Sequence, residues 1–183
     1  MLILASQSPR RKELLERAGI TFKVQVAGIP EAPESGESPG EYVRRLSRQK
    51  AEAVGGDLVL GADTVVVVDG AILEKPADLD DARRMLTLLS VRAHTVLTGV
   101  CLRQGGRVFS EVCETSVHFS QLSERELEEY VASGEPMDKA GAYGIQGLAS
   151  RFIHRIEGDY LNVVGLPVAV VYRLLKQAGV VPS

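Results

Sequence analysis

Leu2-Ile3-Leu4-Ala5-Ser6-Gln7-Ser8-Pro9-Arg10-Arg11-Lys12-Glu13-Leu14-Leu15 sets the architecture of this chain. It predicts a short buried strand, a polar turn and the start of a helix. Leu2 to Ala5 is continuously apolar, as a strand covered on both faces must be. Ser8 suits an N-cap, and Pro9 suits the first helical position, whose N–H has no intrahelical partner. Arg10, Arg11 and Lys12 then place three cations where the helix dipole is already positive, at a cost of about 0.3–1 kcal/mol for each exposed one. Either these cations splay into water, or they hold an anion together with the free N–H groups and two serine hydroxyls. Phosphate is the usual occupant of such a helix start.

The 183 residues are enough for one domain of ordinary size or two small lobes. Hydrophobic content of 45% and charged content of 25% are those of a soluble globular protein. A net charge of −3 offers no global basic field to nucleic acid or to an anionic membrane, so any basic site is local. Aromatic residues are 5% of the chain, without tryptophan, which argues against a stacking platform for a nucleic-acid polymer. No apolar run reaches the roughly 18 residues of a membrane span. The N-terminus is apolar and then cationic, the reverse of a signal peptide. Cys101 and Cys113 lie in strand-like runs without metal-ligand spacing and read as core thiols in a reducing compartment.

The first helix is expected to run from Pro9 to about Ala18, with Leu14, Leu15 and Ala18 inward and Gly19 as its stop. Thr21 to Val26 reads as a strand. Ala27 to Gly40 is an acidic, Pro- and Gly-rich loop, solvated for the most part. Of its glutamates, Glu31 lies nearest the strand end and is the best candidate for a divalent-cation ligand beside a phosphate site. Glu41 to Val54 reads as a helix whose apolar face carries Val43, Leu46 and Val54, with Lys50 in the middle of that face. Lys50 either snorkels to the rim or aims its ammonium into a cleft.

Leu58 to Leu73 predicts two apolar strands joined at Asp69-Gly70 by a type I′ turn. Asp63 and Thr64 interrupt the first of them. An ionised carboxylate buried alone is costly, so Asp63 is neutral, paired, metal-bound or at a strand end facing a cleft. That setting makes it a candidate general base or metal ligand, or else a capping residue at a strand break. Gly61 and Ala62 keep its approach clear of bulk, and Glu74-Lys75-Pro76 adds another cation. Further on, the sequence predicts a helix over 80–90, strands over 93–102 and 107–119, and a helix over 124–132 opened by the capping box of Ser123 and Glu126. Phe152 to Tyr160 reads as a hairpin through Gly158-Asp159. A last helix begins at Pro167, with Val168, Val171, Tyr172 and Leu175 inward.

Asp138-Lys139-Ala140-Gly141-Ala142-Tyr143-Gly144-Ile145-Gln146-Gly147 is glycine-rich, which permits close backbone approach to a ligand or unusual dihedrals. It matches neither a P-loop nor a dinucleotide turn. No nucleophile elbow is present, and His94, His118 and His154 are too scattered to suggest zinc. What remains is a cationic helix start, a strand aspartate, spaced lysines, an acidic loop and a glycine loop. These parts suit phosphoryl chemistry on a small anionic substrate, in which cations hold phosphates, carboxylates hold Mg²⁺ and one carboxylate activates water.

Ala5 to Leu15, Gly61-Ala62-Asp63-Thr64-Val65-Val66, Glu74-Lys75-Pro76 and Asp138 to Gly147 resemble, in that order, the motifs of the Maf family of nucleoside triphosphate pyrophosphatases. The likeness runs on to Val164-Gly165-Leu166-Pro167. It implies a single α/β domain over 1–183, two-lobed and like that of the inosine triphosphatases, with an elongated mixed sheet flanked by helices and a central cleft. It implies cleavage of the α–β phosphoanhydride to a nucleoside monophosphate and pyrophosphate with Mg²⁺ or Mn²⁺, in the cytoplasm, often by a homodimer. By position, Ser6, Ser8, Arg10 and Arg11 would hold the triphosphate, and Lys50 and Lys75 would add charge neutralisation. Asp63 would accept the proton of the attacking water and share metal binding with Glu31, the loosest of the matches. Arg10, Thr64 and Gln146 resemble the positions that set base preference, Gln146 having both donor and acceptor for a uracil edge. The form Tyr143-Gly144-Ile145-Gln146-Gly147 is similar to the branch acting on dTTP and UTP rather than that acting on 7-methyl-GTP. The rival from another class is a nucleotide-sensing regulator without turnover, since the family has been linked by name to septum formation.

Overall fold

The computed structural model describes residues 1–26 and 28–180. It is a mixed α/β fold. β1 (Leu2–Leu4), α1 (Pro9–Arg17), β2 (Phe22–Val24), α2 (Pro39–Glu52), β3 (Leu58–Val68) and β4 (Ala71–Leu73) come first. α3 (Leu79–Leu89), β5 (Ala93–Gln104), β6 (Arg107–Phe119), α4 (Glu124–Ala132), β7 (Ile153–Glu157), α5 (Tyr160–Val164) and α6 (Val168–Gln177) follow. Three 3-10 turns lie between α4 and β7. The strands form one seven-stranded sheet in the order β2-β1-β3-β5-β6-β7, with β4 paired to β3. β1 runs parallel to both neighbours, whereas β4 and β7 are antiparallel to theirs, so the sheet is mixed as expected.

The chain divides into two compact units. The first comprises Met1–Thr64, Thr98–Cys113 and Gly165–Ser183, and the second Val65–Leu97 and Glu114–Val164. In the first, β1 lies between β2 and β3 and is buried at Leu2 and Leu4. Behind it Ala5, Ala51, Val54, Val59 and Cys101 pack together with Ile3. Arg103 closes the C-terminal end of α2 by donating to the carbonyls of Ala51, Val54 and Gly56 at 3.0, 2.8 and 3.0 Å. In the second unit α3 packs on α4, and Arg83 pairs with Glu124 at 2.7 Å. His94, Phe119 and Tyr143 form an edge-to-face cluster with centroids 4.9–5.3 Å apart.

Four local expectations change. The inward face of α1 carries Arg11 with Leu14 and Leu15, while Ala18 is exposed beyond the helix end. Helix α2 begins at Pro39 rather than Glu41, because Ser38 forms a full capping box with Glu41. Ile153–Glu157 is not half of a local hairpin. It pairs with β6, and Asp159 instead opens α5 by accepting from the amides of Leu161 and Asn162. Tyr172, expected inward on α6, is exposed.

Candidate functional site

The helix α2 rests on β3 and β5 at two glycines. A Cβ on Gly61 would lie 2.0 Å from the Ser47 carbonyl oxygen, and one on Gly99 would lie 2.1 Å from that of Val43. Only a residue without a side chain lets the helix backbone settle this close. Gly61 and Asp63 are two residues apart on the strand and so share a face. Lys50, on the helical turn above Gly61, is thereby brought onto Asp63. The two are 7% and 6% exposed, and Nζ stands 2.7 Å from Oδ1. The same ammonium reaches Glu31 at 2.9 Å. Of the alternatives open for these two residues, Asp63 is paired and Lys50 is buried rather than snorkelled. Burial nevertheless holds the Asp63 carboxyl above its ordinary value, against the opposing pull of Lys50 and Arg11. A carboxylate raised in this way is a better proton acceptor than one in water.

The helix start lies in the same unit. Ser8 caps α1 by accepting from the Arg11 amide at 3.4 Å. The Arg11 side chain turns inward and donates through Nε to the Gly165 carbonyl at 2.9 Å, through Nη1 to Ser6 Oγ at 3.2 Å, and through Nη2 to Thr64 Oγ1 at 3.0 Å. All three acceptors are neutral, and Arg11 makes no ion pair among the described residues. Burial lowers its pKa, with Asp63 and Glu31 opposing, from a value so high that the guanidinium stays charged. Ser6 Oγ also accepts from the Ser8 amide at 3.2 Å, so both its lone pairs are engaged and its O–H is still able to donate. Thr64 Oγ1 is shared among Arg11, Thr98 and the Gly165 carbonyl.

Seven of the residues singled out in the sequence therefore stand in one unit and join two linked networks: Ser6, Ser8, Arg11 and Thr64 in one, Glu31, Lys50 and Asp63 in the other. Arg10 is half-buried at the second position of α1. Lys75 and Gln146 belong to the second unit, where both are exposed. The glycine loop there is built for its own packing. A Cβ on Gly144 would lie 2.6 Å from Lys139 Cε, and one on Gly147 2.4 Å from the Glu135 carboxylate. Glu135 accepts from Tyr130 Oη at 2.9 Å and from the Leu148 amide at 3.0 Å, while the Gly144 amide donates to Tyr130 Oη at 3.2 Å. The loop is thus fixed on either side of Gln146, and its glycines make room for neighbouring side chains. The acceptor role of Gly165 and the clasp of Tyr130 with Glu135 escaped the sequence reading. Thr98, a hydroxyl inside an apolar strand, carried the same signal as Asp63.

The carboxylates fit a divalent cation of the magnesium kind. Such ions take one or two protein carboxylates and complete their shell with water and substrate phosphate. Glu31 and Asp63 converge on one ammonium, at 2.9 and 2.7 Å, so their oxygens already face a single cationic point. Among the described residues no cluster of three or more His, Cys, Asp or Glu forms a self-sufficient metal cage. No helix among them is long and apolar enough to cross a membrane.

The family model described as Maf-like protein matches residues 1–178. Among curated relatives, a protein of Koribacter versatilis named dTTP/UTP pyrophosphatase is 53% identical over 183 residues, spanning 98% of this chain and 95% of its own. Proteins of the same name are 53% identical in Symbiobacterium thermophilum, over 97% of this chain and 94% of theirs, and 51% identical in Vibrio vulnificus, over 96% and 97%.

Proposed function

We propose that this chain, which belongs to the Maf family, hydrolyses the α–β phosphoanhydride of dTTP and UTP to nucleoside monophosphate and pyrophosphate. The observation that carries the reading is the buried Arg11 guanidinium, held by three neutral oxygens and no carboxylate. Its charge is left for an anion, at a helix N-terminus that favours one. The names of relatives at about half identity supply the bond and the bases.

Ser6 donates its remaining O–H, and Arg11 its remaining N–H groups, to phosphate oxygens. Ser8 holds the turn by capping α1, and Arg10 and Lys75 add positive charge. Asp63 accepts the proton of the attacking water as its oxygen bonds to phosphorus and the anhydride oxygen leaves with the pyrophosphate. Burial raises the basicity of the carboxylate for that transfer, and Lys50 opposes the rise by favouring the ionised form. Glu31 and Asp63 would hold Mg²⁺ or Mn²⁺, which supplies Lewis-acid stabilisation of the phosphate charge when bound. Gln146 reads the pyrimidine edge with its exposed amide, and Arg10 and Thr64 adjust the preference. The Thr64 hydroxyl is engaged inward, so its part is exerted through Arg11. The free thiols, Cys101 buried and raised to about 11 by that burial, accord with a reducing cytoplasm. A homodimer is the proposed assembly.

Product analysis with Mg²⁺ across dTTP, UTP, CTP, GTP and 7-methyl-GTP tests the reading. Monophosphate and pyrophosphate from dTTP and UTP, lost in Asp63→Asn with nucleotide binding retained, is the expected result. Orthophosphate release, or binding without turnover as a nucleotide sensor would give, overturns it.

A further inference from the structure

Glu31 reaches Lys50 from an acidic loop that sequence alone reads as solvated. A second side chain of α2 fastens that loop. Arg45, 21% exposed, donates through Nε to Glu37 Oε1 at 2.6 Å and through Nη2 to Glu37 Oε2 at 2.7 Å. This is the two-pronged geometry that arginine makes and lysine does not. The same Nη2 donates to the Ala32 carbonyl at 3.0 Å, and Nε lies 3.5 Å from Glu34. Nη1 donates to Gln49 Oε1 at 3.3 Å, so the guanidinium is itself oriented by its own helix. Arg45 holds the Glu37 carboxyl below its ordinary value by this bonding. The carbonyl grasped belongs to Ala32, the residue directly after Glu31, and Lys50 lies little more than one turn further along α2. The clasp and the carboxylate pair are therefore two ends of one short ring: α2, Arg45, Ala32, Glu31, Lys50 and back to α2.

We propose that Arg45 is a positioning residue that holds Glu31 in place as the second carboxylate beside Asp63. The proposal rests on the reading of Glu31 as a metal ligand. A glutamate on a free loop loses its entropy each time it binds a cation, whereas one on a fastened loop has already lost it. Partners that orient a ligand carboxylate without touching the metal typically account for 10–100-fold in affinity.

The test is binding of Mn²⁺ alone, followed by electron paramagnetic resonance without nucleotide, beside hydrogen exchange over residues 28–37. Arg45→Ala is expected to weaken Mn²⁺ binding about tenfold and to speed exchange in the loop. Arg45→Lys recovers part of the affinity. Glu31→Gln matches the Arg45→Ala loss, and the double variant loses no more than either alone, because both act through one carboxylate. If Glu31→Gln leaves Mn²⁺ affinity unchanged, the metal-ligand reading fails and this proposal with it. If Glu31→Gln weakens binding while Arg45→Ala frees the loop without weakening binding, the positioning role alone is overturned. A purely structural Arg45 would lower the melting temperature and leave Mn²⁺ affinity intact, which also overturns it.

Discussion

Gly61→Ala tests whether the Lys50–Asp63 pair is set by the seating of a helix on a strand. The new Cβ would meet the Ser47 carbonyl oxygen at 2.0 Å, the Ala51 amide nitrogen at 2.8 Å and Ala51 Cβ at 3.1 Å. Two of these atoms are helix backbone, so no side chain can swing aside. Ordinary contact begins near 3.4 Å, and reaching it from 2.0 Å lifts that turn of α2 by about 1.4 Å. Lys50 rides on the same turn, and its 2.7 Å bond to Asp63 lengthens to about 4 Å, beyond hydrogen-bonding range. Overpacking of this kind costs about 1–3 kcal/mol, and loosening a buried ion pair adds to it. Taking about 3 kcal/mol in all, the melting temperature falls by about 10 °C for a chain of this size. A misplacement near 1 Å at the chemistry costs about 100-fold in kcat. The control is Gly40→Ala on the same helix, where nothing lies within 4 Å of the added Cβ. It is expected to stabilise by up to about 1 kcal/mol and leave turnover unchanged. Melting curves and dTTP hydrolysis on both variants read the result. Gly61→Ala with wild-type stability and kcat would refute the argument.

Lys50→Met removes the largest force opposing the burial of Asp63, so the carboxyl rises further. The acid limb of the kcat/KM profile should move to higher pH. The variant should also lose more stability as pH rises through the folded pKa, because a raised carboxyl binds its proton more tightly folded than unfolded. His94 titrates in the opposite sense. Its pKa is lowered to about 4 by burial, so the unfolded chain binds the proton first and stability is lost as pH falls from about 6.5 towards 4. The full effect is about 3 kcal/mol, and His94→Gln should flatten the melting-temperature profile across that window. Gly147→Ala drives a methyl to within 2.4 Å of the Glu135 carboxylate and breaks its bond to the Leu148 amide. Hydrogen exchange at Leu148 should accelerate, with a stability loss of about 0.5–1.5 kcal/mol, since the exposed amide can bond water instead.

Much of this was legible in the residues because the signals were local. Ser8-Pro9 gave the start of α1, and Ser123 with Glu126 gave that of α4, each by backbone rules needing no tertiary knowledge. Ser38-Pro39 carries the same signal for α2, but it lies in an acidic, Pro- and Gly-rich stretch whose composition argues for a solvated loop. Asp63 announced itself as a charge in an apolar run. Its partner Lys50 was equally visible on an apolar helical face, but nothing local could say that the two faces meet. That information lies in Gly61 and Gly99, which admit the helix backbone and not a substrate. A glycine in a strand shows that something approaches closely, never what. The same limit applied to Gly144 and Gly147, whose neighbours prove to be Lys139 and Glu135. Long-range acceptors such as the Gly165 carbonyl leave no trace in a side-chain pattern.

The two networks in the first unit divide the electrostatic work. Lys50 is one ammonium set against two carboxylates, so the group it forms with Glu31 and Asp63 keeps a net negative charge and seeks a further cation. Arg11 is one guanidinium set against neutral oxygens, so its group with Ser6, Ser8 and Thr64 keeps a net positive charge and seeks an anion. Each group feels the other, since Asp63 and Glu31 both act on the Arg11 pKa and Arg11 acts on that of Asp63. A ligand of one sign would satisfy one group and leave the other uncompensated. A divalent cation carried on a triphosphate brings both signs together. On that reasoning cation and nucleotide bind cooperatively, each weakly alone. Charge removal at Arg11 should therefore weaken Mn²⁺ binding in the presence of nucleotide more than in its absence. Equal losses under both conditions would show that the two networks act independently.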